Sequence, residues 1–176
     1  MTPIKSFPIS PPPGLTLAIE AHGIMLVCEG GVWKANDAPA AEAVIASYDP
    51  TPYAKTTKAA ELAEARWQKE TGGFMFQPSG VDRPYRFVST REAMGPVMGA
   101  VLALQAGVFP DPTQWKTAEG EFVPITAADV LPLYKAFAAH VAGVFAEEAT
   151  KQAEVKASIW QDVAAIAIEA ANADVP

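Results

Sequence analysis

The hydrophobic and polar positions of this chain change period several times, and each change marks an element. Leu15, Leu17 and Ile19 alternate with Thr16, Ala18 and Glu20, a period of two that predicts a strand. "GIMLVCE" is a second apolar run, closed by Gly30-Gly31, and "GVWKA" is a third. Short apolar runs punctuated by glycine predict a small antiparallel meander. "DAPAAEAVIASYDP" predicts a short helix capped by Asp37, with Pro39 in its first turn and Asp49-Pro50 at its end. A longer helix follows, capped by Thr56 or Thr57, running to about Glu70 and stopped by Gly72-Gly73. Leu62, Ala63 and Trp67 give it only a narrow apolar stripe, the pattern of a connector or of one helix in a bundle between subunits.

"GFMFQPSGVDRPYRFVST" holds two strand-like pieces around the turn signal Pro78-Ser79-Gly80. Ser89 then opens a helix, with Glu92 at capping-box spacing. Met94, Val97, Met98, Val101 and Leu102 share one face of it, which predicts methionine as core filler. Pro96 predicts a kink there, or a helix that begins at Gly95. "QWKTAEGEFVPIT" predicts a hairpin turning at Glu119-Gly120, with Trp115 and Phe122 close across the strands. Thr126, with Asp129 three residues on, starts the closing helical stretch.

That stretch carries Val130, Leu133, Tyr134, Phe137, Val141, Val144 and Phe145 on one face. Val155, Ile159, Val163, Ile166 and Ala170 continue the repeat, with Trp160 beside it. No glycine or proline separates Phe145 from Ile168. One unbroken helix from Ala127 would run over about forty residues, roughly 60 Å. Either the chain turns near Ala149–Gln152, or the helix projects and packs against copies of itself. The candidate subunit interface is therefore Val155, Ile159, Trp160, Val163 and Ile166.

Together these elements predict an α+β fold: a small N-terminal antiparallel β meander, a connecting helix, then an α+β module with a β-hairpin and long C-terminal helices. The expected divisions are a proline-rich arm (1–14), a β-rich module (15–50), the connecting helix (51–71), the α+β domain (72–150) and a C-terminal amphipathic helix (151–176). Five prolines make the arm extended, either as a free tail or laid on a neighbouring subunit.

Composition narrows the functional classes. The chain has 176 residues, enough for one domain or two small modules. Much of its apolar half is alanine, which favours helix but buries little surface, so a partner is expected to complete the burial. Twenty acidic and 13 basic side chains give a formal charge of −7, with no basic cluster, which argues against nucleic acid and anionic membranes as partners. No apolar run is long enough to span a membrane, and the N-terminal stretch does not read as a signal peptide. A chain made and kept soluble in the cytoplasm is expected. The single cysteine, Cys28, forms no intrachain disulfide and is expected as a buried, inert thiol.

Catalytic chemistry is not legible. His22 and His140 are the only histidines, and no metal-ligand spacing, P-loop, dinucleotide fingerprint or nucleophile elbow occurs. His140, at the edge of an apolar face, reads as a structural histidine. Glu147 and Glu148 point about 100° apart on one helix, so they form no facing acid pair. No catalytic, cofactor-binding or metal-binding residue is expected, and no cofactor.

"AAELAEARWQKETGG", "STREAMGPVMGA", "QWKTAEGEFVPIT" and "AAHVAGVFAEEA" together carry a resemblance. From Tyr48 to Ser158 the chain resembles an uncharacterised domain family that recurs in tail and tail-fibre genes of tailed bacteriophages and prophages. The matching positions are Gly72-Gly73, Ser89, Trp115-Lys116, Gly120, His140-Val141 and Phe145. "FMFQPSGVDRPYRFV" departs from that pattern, being longer and more aromatic. The resemblance implies a non-enzymatic structural protein of a phage tail tip or tail fibre, located in the virion tail after synthesis in the host cytoplasm. Its implied partners are other tail or tail-fibre proteins and copies of itself, with a trimer the first expectation. An assembly chaperone absent from the virion is the alternative, and a cell-wall or glycan hydrolase a third.

Overall fold

The computed structural model describes residues 1–168 and divides the chain into two compact units. One contains Met1–Ala60 with Glu154–Ala167; the other contains Glu61–Ala153. The fold is α+β, with N-terminal antiparallel strands, two further hairpins and a long late helix.

In the first unit, β1 (Thr2–Pro3), β3 (Val32–Ala35) and β2 (Leu26–Glu29) form an antiparallel sheet in the order β1-β3-β2. The start of the proline-rich arm is therefore not a free tail but packs on its own chain. Thr2 and Pro3 pair with Ala35 and Lys34, Ile4 is buried, and Phe7 stacks on Trp33 with ring centroids 4.6 Å apart. Cys28 lies on the outer strand, opposite Trp33, and is exposed, not buried as expected.

Leu15–Ala21 is a helix, α1, where the alternation predicts a strand. Leu15, Leu17 and Ile19 satisfy a period of two, but Leu15 and Ile19 also satisfy i, i+4. Those two are 1% and 0% exposed while Leu17 is 53% exposed, so the helical period won. Gly14 precedes α1 with φ 77°, and a Cβ there would lie 2.5 Å from Tyr48 Oη and from the Tyr53 ring. Tyr48 Oη donates to the Pro13 carbonyl at 2.6 Å, which fastens the entry to the helix. α2 (Ala38–Ser47) is capped by Asp37, whose carboxylate accepts from Ala40 N.

α3 spans Thr51–Thr71, starting more than a turn earlier than Thr56 or Thr57 would place it. α2 ends just before Asp49-Pro50, as expected, and Asp49 also accepts a hydrogen bond from Thr51 N at 2.9 Å at the start of α3.

The second unit is built on two hairpins, the end of α3 and two further helices. β4 (Phe74–Phe76) pairs with β5 (Tyr85–Phe87), and β6 (Thr113–Lys116) with β7 (Phe122–Ile125). Gly120, φ 90°, makes the second turn possible. The register sets Trp115 opposite Val123 and Lys116 opposite Phe122. Trp115 and Phe122 therefore do not form the expected cross-strand pair: Trp115 packs toward the core and Phe122 is 66% exposed.

α4 covers Arg91–Gln105 and α5 covers Ala127–Ala157. The core joins Phe74, Phe87, Val101, Val123, Ile125, Val130, Leu133 and Phe137. Phe74 meets Phe137 edge-on at 5.7 Å, a favoured aromatic geometry. Thr90, not Ser89, caps α4 by accepting from Ala93 N. Pro96 is accommodated inside α4, which begins at Arg91 and not at Gly95.

α5 does not turn at Ala149–Gln152 and does not run on to the C-terminus. It ends at Ala157, where Ser158 Oγ bonds back to the Glu154 carbonyl at 2.8 Å. Ile159 is extended, with φ −87° and ψ 167°, and a short helix α6 (Trp160–Val163) follows. The part of the expected C-terminal helix beyond residue 168, Ala170 included, lies outside the described residues.

Candidate functional site

Polar and ionisable side chains of the second unit converge around the end of α3 in two arrangements. Arg66 pairs with Glu70 on its own helix and with Glu148 at 2.8 Å, and its guanidinium lies 4.6 Å from the centre of the Phe145 ring. Lys69 binds both oxygens of Glu147, at 2.8 and 2.9 Å, and Lys151 reaches Glu147 at 3.3 Å. The Lys69 ammonium holds the Glu147 carboxyl below its ordinary value, so it stays ionised near neutral pH. A carboxylate in that state is a structural anion and a poor general acid.

Ser89 and His140 form the other convergence. His140 Nε2 stands 3.1 Å from the Lys69 carbonyl and 3.5 Å from Ser89 Oγ. Ser89 Oγ already donates to the Glu70 carbonyl and accepts from Gly73 N at 3.0 Å. With Ser89 only 2% exposed, this serine–histidine contact closes the end of α3 and presents no nucleophile. Among the described residues no group of three His, Cys, Asp or Glu side chains is placed to hold a metal ion.

The candidate interface residues do not form one seam. Val155 is 3% exposed and Val163 2% exposed, both buried by their own chain. Ile159 is 57% exposed, while Trp160 and Ile166 are half-buried. The end of α5 at Ala157 breaks the helical repeat that would have aligned them. The large apolar side chains that remain open beyond α5 among the described residues are Ile159 and, at 38% exposure, Ile168.

A larger unpartnered apolar face lies on α4. Val97 and Val101 point into the core, and Ala100 and Leu104 pack against it. Met94, Met98 and Leu102, expected to share that buried face, instead form the outer row and are 43%, 37% and 59% exposed. The spacing i, i+4, i+8 makes them a straight ridge. Beside them Gly95 and Gly99 form a parallel row without side chains, and a Cβ at either would meet nothing within 4 Å. Neither glycine has the positive φ that would demand glycine. Each costs an exposed helix about 0.5–1 kcal/mol relative to alanine, with no compensating contact among the described residues.

No charged residue occurs from Ala93 to Pro110, between Glu92 and Asp111. A solvent-facing helix normally carries charge on its outer side. This one presents Met94, Met98, Leu102 and, just past its end, Val108 at 69% exposure. Together they offer on the order of 350 Å² of apolar surface, about the size of the largest patch on a typical monomer, which is often functional. The uncharged run is visible in the sequence; which of its apolar side chains face outward is not.

No curated protein and no solved structure matches this chain. One protein-family model does, over residues 53–172, a span that includes all but the first two residues of α3, both hairpins of the second unit, α4 and α5. The chain belongs to that family, which is described as a domain of unknown function (DUF4376).

Proposed function

We propose that this chain is a non-enzymatic assembly protein of a bacteriophage tail, at the tail tip or in a tail fibre, acting through protein–protein contacts. The observation that carries the assembly reading is the uncharged outer face of α4, where Met94, Met98 and Leu102 are exposed beside two open glycines. Surfaces of this kind are costly in an isolated chain and are covered in an assembly. The tail setting is supported by the resemblance of residues 48–158 to domains of tail and tail-fibre genes. The absence of catalysis is part of the proposal and is supported by the pairing of Glu70, Glu147 and Glu148 with Arg66, Lys69 and Lys151.

Flexible methionines also suit a partner that is held and released, which favours an assembly chaperone as the second reading. Quantitative mass spectrometry of purified particles separates the two. A fixed copy number per particle is the outcome expected of a tail component. Absence from particles, with fibreless particles when the gene is deleted, supports the chaperone. Absence with normal, infectious particles contradicts both.

A further inference from the structure

We infer that the outer face of α4 is covered by the same face of a second copy of this chain, an inference that rests on the assembly reading above and names its partner. The face is self-complementary. Its ridge, Met94-Met98-Leu102, and its groove, Gly95-Gly99, run side by side along rows of four-residue spacing. Two such helices interlock ridge into groove on crossing at about −50°. A two-fold axis passing near Met98 and Gly99 then gives both copies the same contacts, which is the isologous arrangement of a dimer.

Charge points the same way. With a formal charge of −7, two copies repel one another over most of their surfaces. The stretch from Ala93 to Pro110 brings no carboxylate to the contact. The two glycines, which neither backbone conformation nor packing within the chain requires, leave room for close approach from outside. The area is small: about 350 Å² of apolar surface per copy, about 700 Å² per pair before the rim is counted, falls below the roughly 1,200–2,000 Å² of stable specific interfaces. The pairing is therefore weak and reversible, and two-fold where the resemblance implies a trimer.

Sedimentation equilibrium of the full chain, loaded from about 10 μM to about 1 mM, tests this. The wild type is expected to pass from monomer to dimer within that range. Met98→Glu and Met98→Lys are each expected to weaken dimerisation tenfold or more, which corresponds to about 1.4 kcal/mol. Mixing the two variants is expected to restore pairing, because opposite charges then meet across the axis. Gly99→Leu is expected to raise the Tm of the dilute chain, leucine being the better helix former, while weakening the dimer. A purely structural glycine would not move these two readouts in opposite directions.

A wild type that stays monomeric throughout the range overturns the inference, as does a dimer that none of the variants weakens. If the wild type is monomeric yet Met98→Glu is lost from purified particles, the assembly reading stands and the second copy does not. If the pairing behaves as expected while the chain neither enters particles nor is needed to build them, the second copy stands and the tail reading falls.

Discussion

Ser79 donates two hydrogen bonds to one oxygen of Asp129, from its backbone N–H at 2.8 Å and from Oγ at 2.6 Å. Thr126 donates two more to the other oxygen, from N at 2.9 Å and from Oγ1 at 2.6 Å. The turn after β4 is thereby fixed to the start of α5 by one carboxylate that is 3% exposed. Burial alone would raise the Asp129 pKa, but the four donors outweigh it and lower it to about 2.

Because the folded pKa lies below the unfolded one, the ionised form is favoured by folding. Its contribution, on the order of 2 kcal/mol, is complete above about pH 4 and is lost as pH falls toward 2. Asp129→Asn is expected to lower stability by about that amount at pH 7, with the difference from wild type narrowing toward pH 2. Urea unfolding at both pH values checks it; an equal difference at the two would contradict the assignment.

Arg66 serves two carboxylates at once, and the Arg66, Glu70 and Glu148 side chains are 18%, 10% and 14% exposed. Arg66→Met leaves both anions without their cation and is expected to cost about 3 kcal/mol. Adding Glu148→Leu should recover part of that loss, since one stranded charge is then removed. Denaturation midpoints of the single and double variants measure this, and a double variant weaker than the single one would refute the clamp.

Alanine at two glycines is expected to act in opposite directions. At Gly14, φ 77° and the Tyr48 and Tyr53 side chains leave no place for a methyl group, so Gly14→Ala should destabilise by about 2 kcal/mol or more. At Gly95, an open helical site, Gly95→Ala should stabilise the dilute chain by about 0.5–1 kcal/mol. Thermal unfolding at low concentration distinguishes the two.

Much of the fold was legible because local chemistry and tertiary packing agree. Asp37 caps α2, Gly120 turns the second hairpin, and Thr126 with Asp129 opens α5, as their side chains and spacing imply. Misreadings arose where one pattern fits two periods or one residue has two uses. Leu15 and Ile19 suit strand and helix alike, and only burial decides. Ser89 has the right spacing to cap α4, yet its hydroxyl is spent on Glu70 and Gly73. The ridge on α4 was misplaced because Met94 and Met98 lie next to the core-facing valines and are as apolar as they are. A helical wheel alone does not say which half of a wide apolar arc the rest of the fold will cover.

The central claim, that the outer face of α4 is covered when the protein assembles, is tested most directly by mapping methionine oxidation along the assembled chain with dilute peroxide. Met25 and Met75, 61% and 45% exposed, serve as internal references for Met94 and Met98 at 43% and 37%. In the dilute chain all four should oxidise at comparable rates. In the concentrated or particle-bound chain, Met94 and Met98 should be protected severalfold while Met25 continues to react. Oxidation of Met94 and Met98 as fast in the assembled state as in the dilute one would contradict the account.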